Sequence, residues 1–343
     1  MSFNDRFNAT YKEVLCPDLS IKEIEKYLGP NTHFVLIKSL AEAFRVALNF
    51  CDITEGDLVL CQSLAPSMAV DTLLRMGAHP ILVDSAADNW GIAAVTLEGA
   101  VLDTILQHGQ RPKAIVVSHI YGMPCYIDEV MSVAQRFGIR VIEDGVGSIG
   151  AYFEGKPCGT IGDLGIFSFG GKEDPRDGFA CLVCKEKSVM PIIQAYLKKY
   201  NLLYEGNPSG CNYLKKLEMD IERKKEISKQ YYNLLKGIPG VSMYHSYINY
   251  IRPNYWLNVI TVDPYKSNFD KEELKARLGK NGKTAFSLIE PLQKEHDDLR
   301  FYNNGTSHVL YQRALVLPSS TDMKEDQVKE VVKTIIDCHY GKQ

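Results

Sequence analysis

Short apolar runs alternate with amphipathic stretches along the first two-thirds of the chain. The apolar runs, rich in valine, isoleucine and leucine, lie at residues 34–37, 57–61, 80–84, 113–117 and 140–144. Between them, apolar residues recur at helical spacing at 40–50, 66–76, 97–109 and 126–137. Because strands that alternate with helices pair in parallel, this pattern predicts an α/β fold in which helices cover both faces of a mostly parallel sheet.

Two more apolar runs, at 165–169 and 179–184, follow each other without a helix between them. We interpret them as an antiparallel edge of the same sheet, because no crossover helix joins them. Cys181 and Cys184 lie in the second run. Zinc would need a second pair of ligands at suitable spacing, so we interpret both residues as core thiols on alternate faces of a strand and predict no metal site.

The pattern changes in the last third of the chain. A long charged helical stretch at 214–236 is followed by strand-like runs at 255–263 and 313–318, separated by helical patterns. These elements predict a smaller α+β domain. We therefore divide the chain into a large domain at residues 1–236 and a small C-terminal domain at residues 237–343.

Composition excludes several classes of function. The 343 residues are 45% hydrophobic and 24% charged, which is typical of a globular protein with a large core. A net charge of -3 gives no basic surface for nucleic acid, and no apolar run approaches the roughly 18 residues that a membrane helix needs. The polar N-terminus is unlike a secretory signal and the nine cysteines are scattered, so we expect a cytoplasmic protein with reduced thiols.

Polar side chains stand where the predicted strands end. They are Ser39, His119, Asp144, Ser168 and Lys172, each at or shortly after the end of an apolar run. The carboxyl ends of parallel strands meet at one rim of a doubly wound sheet, and ligands bind outside that rim. We therefore expect these side chains to face one ligand.

The residue types in this set are typical of a pyridoxal 5'-phosphate site. A helix N-terminus with the hydroxyl of Ser39 suits a phosphate. The carboxylate of Asp144 suits a pyridinium nitrogen, the imidazole of His119 suits a ring face or ring oxygen, and the amine of Lys172 suits an imine. Taken singly, each residue also has a structural alternative: a helix cap, an Asp-Gly turn, a core histidine or a solvated lysine.

The segment from His119 to Phe169 resembles the central part of the DegT/StrS-type sugar aminotransferases. It contains an HIYG turn, a helix, a strand that ends in Glu-Asp, and a glycine-rich stretch that leads to Phe-Ser-Phe and a lysine. The likeness extends over nearly the whole chain. It implies the fold-type I aminotransferase architecture, a homodimer with shared active sites, and amino transfer, usually from glutamate, to a keto group on a nucleotide-linked sugar, as in polysaccharide biosynthesis.

The resemblance also implies a role for each matching residue. Asp144 would pair with the pyridine nitrogen of the cofactor, and His119 would belong to the wall beside the ring. Ser168 would contact the phosphate, and Lys172 would form the Schiff base and act as the general base. Asn212, in a segment similar to the family's Asn-Tyr-Arg, would reach the phosphate held by the partner subunit.

Several positions depart from the family pattern. Residues 39–41 are Ser-Leu-Ala, where the family has a phosphate-binding Ser-Gly-Thr. Pro66 stands where the family has an aromatic residue that stacks on the cofactor ring, and Gly147 stands where it has a glutamine three residues after the aspartate. Each lost hydrogen bond to a charged phosphate is worth roughly 1.5–3 kcal/mol. These changes alter the cofactor pocket but leave the core strands intact.

The loop before Lys172 is one residue shorter than in the family. Without a deletion, Glu173 would take the place of the lysine, and a carboxylate cannot form an imine. We place the deletion at Gly170 and Gly171, because two glycines make a shortened loop sterically easy.

Two functions therefore stay open. The first is a working aminotransferase that uses pyridoxal phosphate. The second is a catalytically degenerate relative that keeps the fold and the dimer and binds a nucleotide sugar or a partner. A dinucleotide-dependent oxidoreductase is disfavoured, because the first strand leads into Lys38 and Ser39 with no GxGxxG turn.

Overall fold

The structure is a computed structural model that describes residues 21–30, 32–169, 179–204, 213–245 and 248–341. The helices are α1 (Ile21–Leu28), α2 (Leu40–Phe50), α3 (Met68–Arg75), α4 (Ala94–His108), α5 (Ile127–Phe137), α6 (Met190–Lys199), α7 (Tyr213–Leu235), α8 (Pro264–Ser267), α9 (Lys271–Lys280), α10 (Leu292–Glu295), α11 (Thr306–Arg313) and α12 (Glu325–Tyr340). The strands are β1 (His33–Ile37), β2 (Leu58–Gln62), β3 (His79–Val83), β4 (Ala114–Ser118), β5 (Arg140–Asp144), β6 (Tyr152–Phe153), β7 (Lys156–Pro157), β8 (Leu164–Phe169), β9 (Phe179–Cys184), β10 (Val241–Met243), β11 (Ile251–Arg252), β12 (Asn258–Val262), β13 (Phe286–Ser287), β14 (Phe301–Tyr302) and β15 (Ala314–Leu317).

The large sheet contains eight strands in the order β1-β9-β8-β5-β4-β2-β3-β14. All of them run in the same direction except β9, which pairs antiparallel with β8 on one side and with β1 on the other. The predicted mostly parallel sheet is thus confirmed. The prediction that the antiparallel pair forms an edge is wrong, because β1 pairs along the second side of the fully buried β9 and becomes the edge itself.

Each central strand sends alternate side chains into two separate cores. In β2, Val59 and Cys61 pack with Phe44 of α2, whereas Leu60 packs on the other face with Val130 of α5. Two apolar faces on one strand require helices on both sides of the sheet. The predicted layers, in which helices cover both faces, are therefore present.

The two cysteines of β9 lie on opposite faces of the strand. Cys181 belongs to the apolar cluster that contains Phe167, and Cys184 belongs to the cluster that contains Ile142. Both thiols are buried. The interpretation of these residues as core thiols is confirmed.

The C-terminal third builds a second sheet, with the antiparallel order β10-β12-β15-β13. Its core includes Tyr231 of α7 together with apolar residues of α9 and α12. The short strand β14 leaves this region and pairs in parallel with β3 of the large sheet. The division of the chain at residue 236 stays a prediction, and β14 ties the C-terminal part to the large sheet.

The described helices include none that is both long enough and apolar enough to cross a membrane.

Candidate active site

The rim predicted from the strand ends exists at the carboxyl edge of the large sheet. Strands β4, β5 and β8 are neighbours there, and their register places Ser118 beside Asp144 and Asp144 beside Ile166. Asp144 therefore stands between two strand ends. Ser168, two residues further along β8, is buried and is paired in register with Ala180 of β9.

Asp144 is a buried carboxylate with neutral hydrogen-bond donors. One oxygen, Oδ2, accepts a hydrogen bond from the Ser118 hydroxyl at 3.1 Å, and Oδ1 accepts one from the Val146 amide at 3.1 Å. Burial raises the pKa of Asp144, although these two hydrogen bonds oppose the change. A cation beside the carboxylate would favour its ionised form. Asp144 is therefore suited to hold a protonated aromatic nitrogen.

Ser118 is itself fixed from the next strand. The side-chain oxygen of Gln62, at the end of β2, accepts a hydrogen bond from the Ser118 amide at 3.3 Å. The Gln62 side-chain nitrogen donates to the carbonyl oxygen of Leu64 at 2.8 Å. The orientation of the Asp144 carboxylate is thus determined by three neighbouring strand ends.

His119 uses both ring nitrogens inside the protein. Its Nε2 lies 2.8 Å from Oε2 of Glu143, and its Nδ1 accepts a hydrogen bond from the Cys125 amide at 3.1 Å. Because Nδ1 accepts, the proton sits on Nε2, and we assign the neutral imidazole that donates to Glu143. His119 lines the cavity beside Asp144, but its polar atoms hold the HIYG turn. Its role as a wall beside a cofactor ring stays a prediction.

Glu143 anchors the loop that precedes β8. Its carboxylate accepts hydrogen bonds from the backbone amides of Gly159 at 2.8 Å and Ile161 at 2.5 Å, and a further one from Gly162. Burial alone would raise the pKa of Glu143, but the hydrogen bonds from His119 and from these amides lower it overall. The ionised Glu143 therefore connects the turn after β4 with the loop before β8.

Ser39 caps a helix, as its structural alternative predicts. Its hydroxyl oxygen accepts a hydrogen bond from the Glu42 amide at 3.3 Å at the start of α2. The first amides of a helix have no partner within the helix and point toward its N-terminal end, where they attract anions. The phosphate contacts assigned to Ser39 and Ser168 stay predictions. Lys172 and Asn212 lie outside the described residues.

A segment from the C-terminal third forms the second wall of the site. The side-chain nitrogen of Asn254 donates to the carbonyl oxygens of Gly147 at 3.1 Å and Ile149 at 2.9 Å, and its oxygen accepts from the Trp256 amide at 2.9 Å. Gly122, with φ of 81°, leaves the space for Asn254, because a Cβ at residue 122 would lie 1.7 Å from the Asn254 oxygen.

The site also contains residues that the sequence did not indicate as site residues. The cavity beside Asp144 is also lined by Tyr121, Trp256 and Ile289. The Tyr121 hydroxyl oxygen accepts a hydrogen bond from the Ile289 amide at 2.8 Å. Gly122 of the HIYG turn is a local signal for the approach of Asn254, because a glycine marks the close approach of another segment without identifying that segment.

Comparison with known proteins places the chain in a family. The model of the DegT/DnrJ/EryC1/StrS aminotransferase family matches residues 21–173 and 209–336. EpsN of Bacillus subtilis (strain 168), whose name assigns it provisionally to the pyridoxal phosphate-dependent aminotransferases, is 29% identical over 317 residues, which cover 86% of this chain and 80% of EpsN. GDP-perosamine synthase of Vibrio cholerae is 25% identical over 338 residues, which cover 89% and 87% of the two chains.

The fold agrees with solved structures of the same kind. The crystal structure of a DegT DnrJ EryC1 StrS aminotransferase from Brucella abortus superposes with a TM-score of 0.80 at 21% identity, over 98% of this chain and 96% of that one. The predicted fold-type I architecture is thereby confirmed. With a family match over most of its length and the strand ends arranged as described, this chain belongs to the DegT/DnrJ/EryC1/StrS aminotransferase family.

Proposed function

We propose that this protein is a pyridoxal phosphate-dependent aminotransferase that transfers an amino group from glutamate to a keto group of a nucleotide-linked sugar. The observation that carries the proposal is the buried carboxylate of Asp144. It lies at the carboxyl edge of the sheet, and the donors that fix it in the described part of the chain, Ser118 and Val146, are neutral. Such a carboxylate gains most from a cationic ring nitrogen.

The residue types at this rim correspond to the chemical groups of the cofactor. Asp144 would hold the ring nitrogen, and the N-terminus of α2 with Ser39 would hold the phosphate together with Ser168. Asn212 of the partner subunit would complete the phosphate site in a homodimer. When bound, pyridoxal phosphate supplies an electron-withdrawing ring and an aldehyde that bonds to an amine.

Each residue of the site would then have a separate role. Asp144 would keep the ring nitrogen protonated, and the Ser118 hydroxyl would hold the carboxylate in position through its hydrogen bond to Oδ2. The amine of Lys172 would hold the cofactor and would serve as the general base that moves a proton. Glu143 and His119 keep the two flanking loops in place without touching the reacting atoms.

The substrate class is supported by the relatives. GDP-perosamine synthase, by its name, makes a nucleotide-linked sugar that carries an amino group. SpsC of Bacillus subtilis (strain 168), 24% identical over 354 residues, is named a spore coat polysaccharide biosynthesis protein. We extend this substrate class to the present chain, with a cytoplasmic location.

Purified protein with glutamate, pyridoxal phosphate and nucleotide-linked keto sugars tests the proposal. We expect visible absorption after cofactor addition and 2-oxoglutarate release that depends on the sugar. Lys172→Ala should abolish both, whereas Lys198→Ala, a change of the same kind at an exposed helical position, should leave both intact. A wild-type protein that stays colourless with added cofactor contradicts the proposal.

One observation favours the degenerate alternative. Pro66 lines the cavity beside Asp144, so the position that carries a stacking aromatic residue in the resembling family offers no aromatic face here. A relative without catalysis would still bind a nucleotide sugar. Calorimetric binding of that sugar by a protein that takes up no pyridoxal phosphate would select this second function.

A further inference from the structure

An open cavity of about 470 Å³ lies apart from the site around Asp144. Three parts of the chain enclose it: the loop after β3, the strands β10 and β12 near their ends, and one side of α11. The described residues that line it include none that lines the cavity beside Asp144. Its volume is within the range of roughly 300–1,000 Å³ that is typical of small-molecule sites. The cavity is therefore large enough for a ligand of its own.

The inner surface of this cavity is apolar and firmly held. Tyr244 is partly buried and stacks on Trp90, with the ring centroids 3.8 Å apart and the ring planes 9° apart. The Tyr244 hydroxyl donates a hydrogen bond to the carbonyl oxygen of Asn89. Val309 of α11 lines the same cavity and is 43% exposed. A sugar ring can pack its apolar C–H face on such a surface and release water from both.

Opposite charges stand toward the two ends of the cavity. The loop that contains Asp88 meets the start of α11, where the side-chain nitrogen of Asn304 donates to the carbonyl oxygen of Ser85 at 3.0 Å. Arg313 is the last residue of α11 and lies about 10 Å along the helix axis from Thr306. A ligand in the cavity thus meets a carboxylate at one end and a guanidinium at the other.

The carboxylate of Asp88 forms no ion pair within the part of the chain that the structure describes. Its oxygens accept hydrogen bonds from the Tyr126 hydroxyl at 2.8 Å and from the Asn89 amide at 2.9 Å, and both donors are neutral. An ionised carboxylate can accept further hydrogen bonds. His245, which also lines the cavity, adds no positive charge at neutral pH, because burial lowers its pKa. An ammonium group on a ligand would supply the missing cation.

The guanidinium of Arg313 keeps donors for an anion. Its Nη1 lies 3.6 Å from Oδ2 of Asp263, and the side chain is 36% exposed. Because a guanidinium has five N–H donors in a planar fork that matches phosphate oxygens, this distant carboxylate uses only part of its capacity. Ser242 and Thr261 add hydroxyl groups to the lining. This end of the cavity therefore suits a phosphate.

We propose that this cavity is a second binding site, for an amino sugar that carries a phosphate or a nucleotide. The ammonium group lies at Asp88, the sugar ring lies on the apolar surface, and the anion lies at Arg313. A nucleotide-linked amino sugar is also the product class of the proposed reaction, so the regulatory meaning of the site, sensing of the product, rests on the proposed function. The binding itself requires no turnover.

Isothermal titration calorimetry at pH 7 with UDP-glucosamine and glucosamine 6-phosphate tests the inference. Both probes carry an ammonium group and a phosphate, with and without a nucleotide, and the probe that binds more tightly identifies the anion that the site takes. In UDP-N-acetylglucosamine, acetylation removes the ammonium charge. We expect this third probe to bind about tenfold more weakly than UDP-glucosamine, because a charge-assisted hydrogen bond is lost.

Variants at the two ends of the cavity separate the two charges. Asp88→Asn should raise the Kd of UDP-glucosamine about tenfold and leave that of UDP-N-acetylglucosamine unchanged, because it removes the charge while the amide can still bond to Tyr126. Arg313→Gln should weaken the binding of both, because both carry the diphosphate. The matched controls Asp298→Asn and Arg75→Gln, at exposed positions outside the cavity, should change neither Kd.

A wild type that binds neither amino sugar would overturn the inference, as would Asp88→Asn and Arg313→Gln variants with wild-type affinity. Equal losses for the amino sugar and its acetylated form in Asp88→Asn would also overturn it, since the ammonium would then not be recognised. A loss in Asp144→Asn as large as that in Asp88→Asn would place the probe at the rim instead. All of these results leave the proposed function standing, because cofactor uptake and amino transfer test that function separately.

Discussion

The two walls of the candidate site are built in different ways. The first wall consists of strand ends, where Asp144 and Ser118 are placed by the register of β5 and β4. The second wall consists of an irregular segment around Asn254 and Trp256, placed by side-chain hydrogen bonds to loops that are more than 100 residues away in sequence. The first wall contains the buried carboxylate to which we assign the chemistry, whereas the second wall determines the shape of the site. We therefore expect changes in the first wall to affect catalysis most and changes in the second to affect stability and cofactor affinity.

Replacing the carboxylate of the first wall should have the largest effect. Asp144→Asn keeps the shape but removes the charge that holds a protonated ring nitrogen, so we expect kcat to fall by about 10²–10³-fold. Steady-state kinetics of amino transfer measure the effect. Asp298→Asn, at an exposed position, is the control. A variant of Asp144 with full kcat would show that the first wall does not carry the chemistry.

Filling the space that Gly122 leaves for Asn254 should chiefly lower the free energy of unfolding. Gly122→Ala would place a Cβ 1.7 Å from the Asn254 oxygen at a φ of 81°, and we expect it to cost about 2–4 kcal/mol of unfolding free energy. Gly56→Ala, at a φ of 83° with open space around it, isolates the backbone strain. Equal losses in urea unfolding for the two variants would mean that contact with Asn254 is unimportant.

Removing the Asn254 side chain, which links the second wall to the loop after β5, should lower the free energy of unfolding by a smaller amount. Asn254→Ala deletes the donor to two carbonyl oxygens and the acceptor for the Trp256 amide. We expect a loss of about 1–3 kcal/mol, because buried groups are left without partners. Asn233→Ala, at an exposed position of α7, should cost less in the same urea titration. The opposite order would contradict the role of Asn254.

The smallest effect that we expect is a change with pH in the free energy of unfolding, caused by Asp144 in the first wall. Burial raises the pKa of Asp144 from its ordinary value of 3.8, so the folded state binds this proton more tightly than the unfolded state. Stability relative to Asp144→Asn should therefore fall as the pH rises through the folded-state pKa. Urea unfolding of both cofactor-free proteins at several pH values measures the difference. A difference that does not change with pH would contradict this environment for Asp144.

The two walls also differ in how far the sequence predicts them. Alternating apolar runs place Asp144 and Ser168 at strand ends, because strand direction and the carboxyl rim follow from local pattern. Asn254 and Trp256 give no such signal. Their positions depend on contacts with Gly122 and Gly147, and a glycine reveals that space is needed without revealing what fills it.

The sequence was less informative about strand neighbours. The pattern indicated that 165–169 and 179–184 pair antiparallel, and they do. It did not indicate that β1 lies beyond β9, because a fully apolar strand looks alike at an edge and in the interior. For His119, the residue type suggested a contact with a cofactor ring, which stays a prediction, but it did not indicate that Glu143 and the Cys125 amide are the partners of the two ring nitrogens. Such hydrogen-bond partners are determined by tertiary packing, which the local sequence pattern does not reveal.

The most direct test of the central claim is to locate the amine that bonds to pyridoxal phosphate. Protein incubated with the cofactor is reduced with borohydride, digested and analysed by mass spectrometry. Our account predicts a pyridoxyl phosphate label on Lys172, with much less label when Asp144 is replaced by asparagine. Label on surface lysines alone, unaffected by Asp144→Asn, would contradict the claim that this rim binds and uses the cofactor.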